Sequence, residues 1–402
     1  MSRIAQLISE LCPDGVEFKA LGDISELVRG NGLPKSVFAE SGIGCIHYGQ
    51  IYTYYGIWAT KTISFVAPET AMPLAKVDTG DIIITNTSEN IEDVCKAVAW
   101  LGDSQIVTGG HATVIKHQQD PKYLSYYFCT PEFFDQKRKY ATGTKVIDVS
   151  AKSLAKIRIP VPPLEVQYEI VKILDTFTEL EAELEAELEA RRTQYAHYRD
   201  ALIQARGSTV PMGELADIRY GYTASASLSG DYRFVRITDI DDNGKILETN
   251  TRYVSSTGVP AEQMLEPGDI LVARTGATYG KSAIVSSAAP AIAASFLIRL
   301  RPHRSLISPT FLWHFMQSHL YWDQARALVS IGGQPQFNGN VLRLVRIPLP
   351  PMAEQEQIAS TLDGFDALVN DLSSGLPAEI AARRQQYEHY RDRLLTFEEA
   401  RS

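Results

Sequence analysis

Ile157-Arg-Ile-Pro-Val-Pro-Pro-Leu-Glu-Val-Gln167 returns 188 residues later as Val345-Arg-Ile-Pro-Leu-Pro-Pro-Met-Ala-Glu-Gln355. A long segment written twice constrains architecture more than local propensity does, since each copy marks the same place in a repeated unit. Each copy runs on into an apolar-periodic stretch, ending in Ile173-Leu-Asp-Thr-Phe177 and Thr361-Leu-Asp-Gly-Phe365. Further on, Ala190-Arg-Arg-Thr-Gln-Tyr-Ala-His-Tyr-Arg-Asp200 returns as Ala382-Arg-Arg-Gln-Gln-Tyr-Glu-His-Tyr-Arg-Asp392, now at an offset of 192. The four added residues are about one helical turn, so the apolar face keeps its phase and both stretches read as helix.

Upstream of each Pro-rich segment, Lys19-Ala-Leu-Gly-Asp-Ile24 is echoed by Gly213-Glu-Leu-Ala-Asp-Ile218, and Thr79-Gly-Asp-Ile-Ile-Ile-Thr85 by Pro267-Gly-Asp-Ile-Leu-Val-Ala273. Short apolar runs such as Ala112-Thr-Val-Ile115 and Phe296-Leu-Ile-Arg-Leu300 lie between Gly and Asn turns, and helical patches such as Pro309 to Gln317 interrupt them. That pattern predicts two β-rich α/β bodies. The expected division is a first domain at 1–160, a long helix at 161–206, a second domain at 207–350 and a second helix at 351–402.

In the first helix, Ile170, Ile173, Leu174, Phe177, Leu180, Leu184, Leu188, Tyr195, Tyr198 and Leu202 mark one face. The Glu-rich run from Glu179 to Ala190 is its solvated side. A forty-residue helix spans about 60 Å and cannot leave such a stripe in water, so its own repeat is the expected partner. The second helix carries Ile358, Leu362, Phe365, Val369 and Leu372, then Ser373-Ser-Gly-Leu-Pro377. Gly375 and Pro377 predict a break or kink at 375–377, with Ser373 or Ser374 capping the restart.

The 402 residues carry a net charge of -9, which looks unsuited to phosphate contact. The two helical segments 165–200 and 352–402 carry -6 and -5, which leaves +2 for the rest. The acidity therefore does not exclude nucleic acid elsewhere. Cys12, Cys45, Cys95 and Cys129 form no Cys-x-x-Cys pair and read as buried reduced thiols, with no metal site expected. Neither a signal-peptide pattern nor a long apolar run occurs, so a soluble cytoplasmic protein is expected.

Catalytic signatures are missing. The double prolines lie in Val161-Pro-Pro-Leu164 and Leu349-Pro-Pro-Met352, without the preceding Asn or Asp and following aromatic residue of an adenine methyltransferase, and no His-Glu-x-x-His or Gly-x-Ser-x-Gly occurs. Gly276-Ala-Thr-Tyr-Gly-Lys-Ser282 imitates a phosphate-binding loop but has three residues between its glycines where four are needed. Asp269 and Lys281 could suggest a nuclease, but Gly-Asp-Ile recurs at Asp81 without the rest, which assigns the aspartates to a turn.

Taken in order and duplicated, Cys-Pro-Asp-Gly-Val16 with Leu21-Gly-Asp-Ile24, Arg274-Thr-Gly-Ala-Thr-Tyr-Gly-Lys281, the two Ile-Pro-x-Pro-Pro segments and the two Gln-Tyr-x-His-Tyr-Arg-Asp endings resemble the specificity subunits of Type I restriction-modification systems over nearly the whole chain. The resemblance implies a non-catalytic subunit with two target-recognition domains and an antiparallel pair of spacer helices. It also implies double-stranded DNA as ligand, two methyltransferase subunits docked on the spacer, motor and nuclease subunits that can join, and S-adenosylmethionine bound by the methyltransferases rather than by this chain. Two similar units can form a pseudo-twofold object suited to two half-sites, and their different sequences imply an asymmetric bipartite target. The alternatives are an enzyme using the Gly276 to Ser282 loop and a stand-alone DNA-binding regulator.

Base reading needs Arg, Lys, Asn, Gln, Thr or aromatic side chains on loops. In the first domain the candidates are Lys35, Tyr48, Gln50, Tyr54, Tyr55, Asn86, Thr108, His111, Thr144 and Lys145. In the second they are Arg219, Tyr220, Tyr222, Arg236, Thr238, Arg274, Thr275, Thr278, Tyr279, Lys281, Gln334 and Gln336. The Arg274 to Lys281 loop is favoured, since it joins two bases to glycines that let backbone approach a phosphate. On the helices Arg191, Arg192, Tyr195, Tyr198, Arg383, Arg384, Tyr387 and Tyr390 serve either helix pairing or methyltransferase docking.

Overall fold

A computed structural model describes residues 3–204, 208–329 and 337–400. The chain divides into two compact units, Met1–Ala182 with Ala382–Ser402, and Glu183–Ala381. The division falls within both long helical segments, so each unit owns part of each.

In the first unit the strand Phe18–Ala20 pairs antiparallel with Arg158–Pro160, which ties the start of the body to the Pro-rich segment. A four-residue helix, Leu21–Ile24, leads into the strand Ser25–Arg29. That strand opens a sheet which continues through Ala112–His117, Ile82–Thr85 and Ala97–Trp100 to the short strand Trp58–Ala59. Ile82-Ile-Ile is unbroken apolar sequence because both faces of this strand are covered. Ile82 and Ile84 enter one core cluster, while Ile83 enters another on the opposite face. A second sheet holds Ile43–Ile46 parallel to Ile106–Thr108.

The second unit repeats this order. Thr209–Pro211 pairs with Arg346–Pro348. Met212–Leu215 is the short helix, and Ala216–Tyr220 then pairs with Leu297–Pro302, which pairs with Ile270–Ala273 and onward to Ser282–Ile284. Tyr232–Val235 lies parallel to Ala291–Ala293 in its second sheet.

One detail differs from the sequence reading. The Leu21 amide donates to Ile157 O and the Met212 amide to Val345 O, both at 2.8 Å, so Leu21 and Met212 are equivalent. The echo that aligned Lys19 with Gly213 is three residues out of register, because a match of a few residues in one helical turn does not fix an alignment and the hydrogen bond to the Pro-rich segment does.

The two glycine-aspartate turns also match. Asp81 Oδ2 accepts from the Asp78 amide and Lys116 Nζ, and Asp269 Oδ2 from the Glu266 amide and Arg301. Gly80 and Gly268 supply the positive φ, 94° and 93°, that the turns require. Both aspartates thus close turns.

The first long helix is continuous over Leu164–Gln204. The second is broken into Met352–Asn370 and Leu376–Leu395. The interruption covers 371–375, so Gly375 lies in it while Leu376 and Pro377 are already helical, and its chemistry differs from the expected serine cap. Ser373 and Ser374 donate to Asp371, through the Ser373 amide at 2.7 Å and both hydroxyls at 2.6 Å, rather than capping the new helix. Those three donors hold the Asp371 carboxyl down at a pKa of about 2. Gly375 O accepts from the Ala378 and Glu379 amides, and Pro377 sits in the first turn, where a missing N–H is harmless. Any Cβ on Gly375 would lie 2.5 Å from Ala367 O.

Within the first unit Phe177 stacks on Tyr390 at 5.3 Å and Arg384 bonds Glu181, so the two segments run antiparallel there. Within the second, Tyr198 stacks on Phe365 at 5.5 Å. Among the described residues no helix is long and apolar enough to cross a membrane, and no cluster of His, Cys, Asp or Glu could hold a metal ion. All four cysteines are free. Cys45 and Cys95 are buried as expected, but Cys12 is half-buried and Cys129 exposed.

Candidate nucleic-acid interface

In each unit the long helices meet the body at one end of the central strand. Ala112–His117 leads to Gln119 and Asp120, and there the buried Gln167 amide takes over: its Oε1 accepts from the Asp120 amide at 2.9 Å, while Nε2 donates to Gln119 Oε1 and Pro162 O at 2.8 Å. Gln355 does the same in the second unit, accepting from the Ser308 amide and donating to Leu306 O and Pro350 O. These glutamines close the repeated Pro-rich motif, and they were not singled out from sequence. Their recurrence at the end of both copies was the available signal.

At the other end of the same strand, away from the Gln167 and Gln355 junctions, the chain is pinched. The Gly30 amide donates to Ala112 O, and a Cβ on Gly30 would lie 1.9 Å from Gly109 O. The Gly221 amide donates likewise to Leu297 O, with a Cβ 2.1 Å from Ala294 O. These contacts make Gly30 equivalent to Gly221, and the residue preceding each central strand, His111 or Phe296, equivalent to the other. The Asn86 amide donates to His111 O at 2.8 Å and the Arg274 amide to Phe296 O at 3.1 Å, which extends the match to Asn86 and Arg274.

In the first unit His111 has φ +67°, a left-handed backbone that a non-glycine residue adopts only under constraint. Its ring lies 4.9 Å from that of Tyr48, and Nδ1 is 2.9 Å from Thr87 Oγ1. Lys35, Tyr48, Tyr52, Asn90, Val146 and His111 help to line a groove of about 620 Å³. Beside it, burial first, then the charges of Lys35 and His111, push the His47 pKa below its usual value. Thr144 and Lys145 are exposed on the loop next to Val146.

Other first-domain candidates face inward. Asn86 is buried, donating to Val149 O and accepting from Thr113 Oγ1, both at 2.8 Å. Thr108 is buried and donates to Ile46 O. Gln50 closes a capping box with His47 and donates to Ser64. Tyr55 is buried, its hydroxyl accepting from the Ile63 amide, while Tyr54 beside it is exposed. Asn86, Thr108, Gln50 and Tyr55 thus hold the body together, with their polar atoms already engaged.

In the second unit the Arg274 guanidinium lies 4.9 Å over the Tyr220 ring, Phe296 is 58% exposed, and Arg219 is exposed but alternates to the other face of the strand, opposite Arg299. The Tyr220 hydroxyl accepts from the Gly339 amide and Tyr222 donates to Gly258 O. Thr275, Thr278 and Tyr279 are half-buried around the Gly276–Thr278 turn. Lys281 is ion-paired with Asp242 at 2.6 Å, and Arg236 is held by both oxygens of buried Asp239, with Thr238 exposed between. Arg274 is therefore the member of the favoured loop whose charge remains available at the rim. Gln334 and Gln336 lie outside the described residues. The segment after Lys281 is a strand, Ser282–Ile284, so the helix that a phosphate-binding loop requires does not follow.

On the helices the repeated tyrosines divide the work. Tyr195 is buried, with its hydroxyl 3.2 Å from His314 Nδ1, and His314 Nε2 is 2.9 Å from Asp363. Tyr387 packs on Tyr126, whose hydroxyl donates to Asp175. Tyr198 and Tyr390 stack on the opposing Phe365 and Phe177 yet stay 42% and 43% exposed. Arg191 bonds Glu187 and Gln194, Arg383 bonds Gln386, and Arg192 is exposed.

A family described as the Type I restriction modification DNA specificity domain matches residues 13–190 and again 208–382. A putative type I restriction enzyme specificity subunit of Haemophilus influenzae is 30% identical over 71% of this chain and 75% of its own length. The EcoR124I/EcoR124II specificity subunit of Escherichia coli is 31% identical over 69% of this chain and 70% of its own. Among solved structures, a chain of a type I restriction-modification assembly aligns with a TM-score of 0.66 at 19% identity, covering 95% of this chain and 98% of that one. The S subunit of M. genitalium aligns at 0.55 and 13%, covering 95% and 96%. The last two likenesses bear on fold alone.

Proposed function

The chain belongs to the specificity-subunit family of Type I restriction-modification systems, non-catalytic proteins that set DNA specificity, and from this premise we propose that it reads a bipartite, asymmetric duplex target with one half-site per unit. The observation that carries the reading is the rim built twice, at the end of each central strand away from the spacer helices, by matching backbone hydrogen bonds but with different side chains. Matching strand pairing presents both rims to DNA in the same way, while different side chains ask for different bases. The spacer helices, with Tyr198, Tyr390 and the arginines on their surface, are the docking place for two methyltransferase subunits, which bring S-adenosylmethionine, and motor and nuclease subunits join that assembly.

Mapping methylated bases across the host genome with and without this chain tests the reading. One split, non-palindromic motif should lose its methylation when the chain is removed. An unchanged methylation map would refute it.

A further inference from the structure

Phe296 is a large apolar side chain standing 58% exposed at the rim of the second unit. Its backbone is fixed from both sides: its carbonyl accepts from Arg274, and the strand Leu297–Pro302 begins at the next residue. The Arg274 whose amide bonds that carbonyl lays its guanidinium over the ring of Tyr220, itself 46% exposed. The equivalent place in the first unit holds His111, exposed, in a left-handed backbone, and packed on Tyr48. Places matched by backbone hydrogen bonds thus carry an apolar ring in one unit and, on a left-handed backbone that Phe296 does not share, a hydrogen-bonding ring in the other.

We propose that His111 and Phe296 are the corresponding specificity-determining residues of the two units, and that Phe296 recognises the C5-methyl group of a thymine in its half-site. This rests on the DNA-reading function above. Among base edges in the major groove the thymine methyl is the apolar feature, so it is the group that a phenyl ring without donors or acceptors can select. Arg274 beside it supplies the positive charge that holds the duplex against the rim. His111, with Nδ1 held by Thr87, offers Nε2 and selects a base by hydrogen bonding instead, and the two half-sites differ accordingly.

The test uses the complete complex with its methyltransferase subunits and a set of duplexes each altered at one base pair of the mapped target. Phe296→Ala should relax discrimination about tenfold at one position in one half, the size a single base contact carries. His111→Gly, which suits the left-handed backbone and removes only the ring, should relax a position in the other half. Replacing the responsive thymine by deoxyuridine removes its methyl group alone. It should weaken the wild-type complex about as much as Phe296→Ala does, and should have no further effect on that variant. Phe296→Ala should keep the wild-type melting temperature, since its side chain is exposed, and His111→Gly, which loses the Thr87 and Tyr48 contacts but relieves the left-handed backbone, should keep a single cooperative unfolding transition. A wild-type complex with no sequence preference would overturn the functional reading itself. A wild-type preference kept by both variants, relaxation by both in the same half, or a deoxyuridine target bound like the thymine target would overturn this inference alone.

Discussion

Gln167 and Gln355 occupy corresponding places and spend every polar atom on the junction between body and helix. Removing either amide leaves buried backbone groups unpaired. Gln167→Ala and Gln355→Ala should each lower the unfolding free energy by about 1–3 kcal/mol per group left unsatisfied, read in urea titrations. Stability within error of wild type would contradict the assignment. His117 offers a second residue-level check. Burial holds its pKa below the usual 6.5, and the nearby Asp81 opposes this only in part. Its Nδ1 accepts from the Gln119 amide while Nε2 is buried without a partner. The folded state therefore binds this proton less readily than the unfolded chain, so the contribution is present above pH 6.5 and lost as pH falls below it. Between pH 7 and 5.5 the melting temperature of His117→Asn should fall less steeply than that of wild type. An identical slope would exclude His117, and His47, shifted in the same direction, would account for what slope remains.

At the scale of elements, the long helices were legible in the sequence because period is a local property, and Gly375 pointed to the neighbourhood of the interruption at 371–375. The identity of the break's organiser was not legible. Asp371 gathers its three donors only once the chain has turned, and nothing distinguishes it beforehand from the other acids of the segment. Gly375→Ala should destabilise the second unit by about 1–3 kcal/mol, since the new methyl meets backbone oxygen rather than a movable side chain. Thermal unfolding decides it, and an unchanged midpoint would mean that the turn relaxes freely. The stacked pairs Phe177 with Tyr390 and Phe365 with Tyr198 sit at equivalent repeat positions. Double-mutant cycles on each should return coupling of about 0.5–1.5 kcal/mol and of similar size. Coupling in neither would deny the rings a part in helix pairing. The candidate site was less legible than the helices. Choosing residue types without knowing which strands pair put Asn86 and Arg274 side by side as candidates, though one is buried and the other faces the rim. Phe296 was passed over because its equivalence to His111 depends on sheet register.

At the scale of the whole molecule, the repeat makes each half a nearly complete design. The first body packs on residues 382–395 in the intact chain, and residues 190–203 are the repeat of that segment. A fragment ending near Arg206 should therefore pair with a second copy, each lending the other its helix end, and sedimentation should find a dimer. A strictly monomeric fragment would count against the interchange. The central claim, one half-site per unit, is tested most directly in a chain whose second body, residues 208–347, is replaced by a second copy of residues 15–159, with both spacer helices kept. Methylation mapping with the methyltransferase subunits present should then yield a palindromic target made of the first half-site and its inverted copy. Retention of the original asymmetric target would contradict the account.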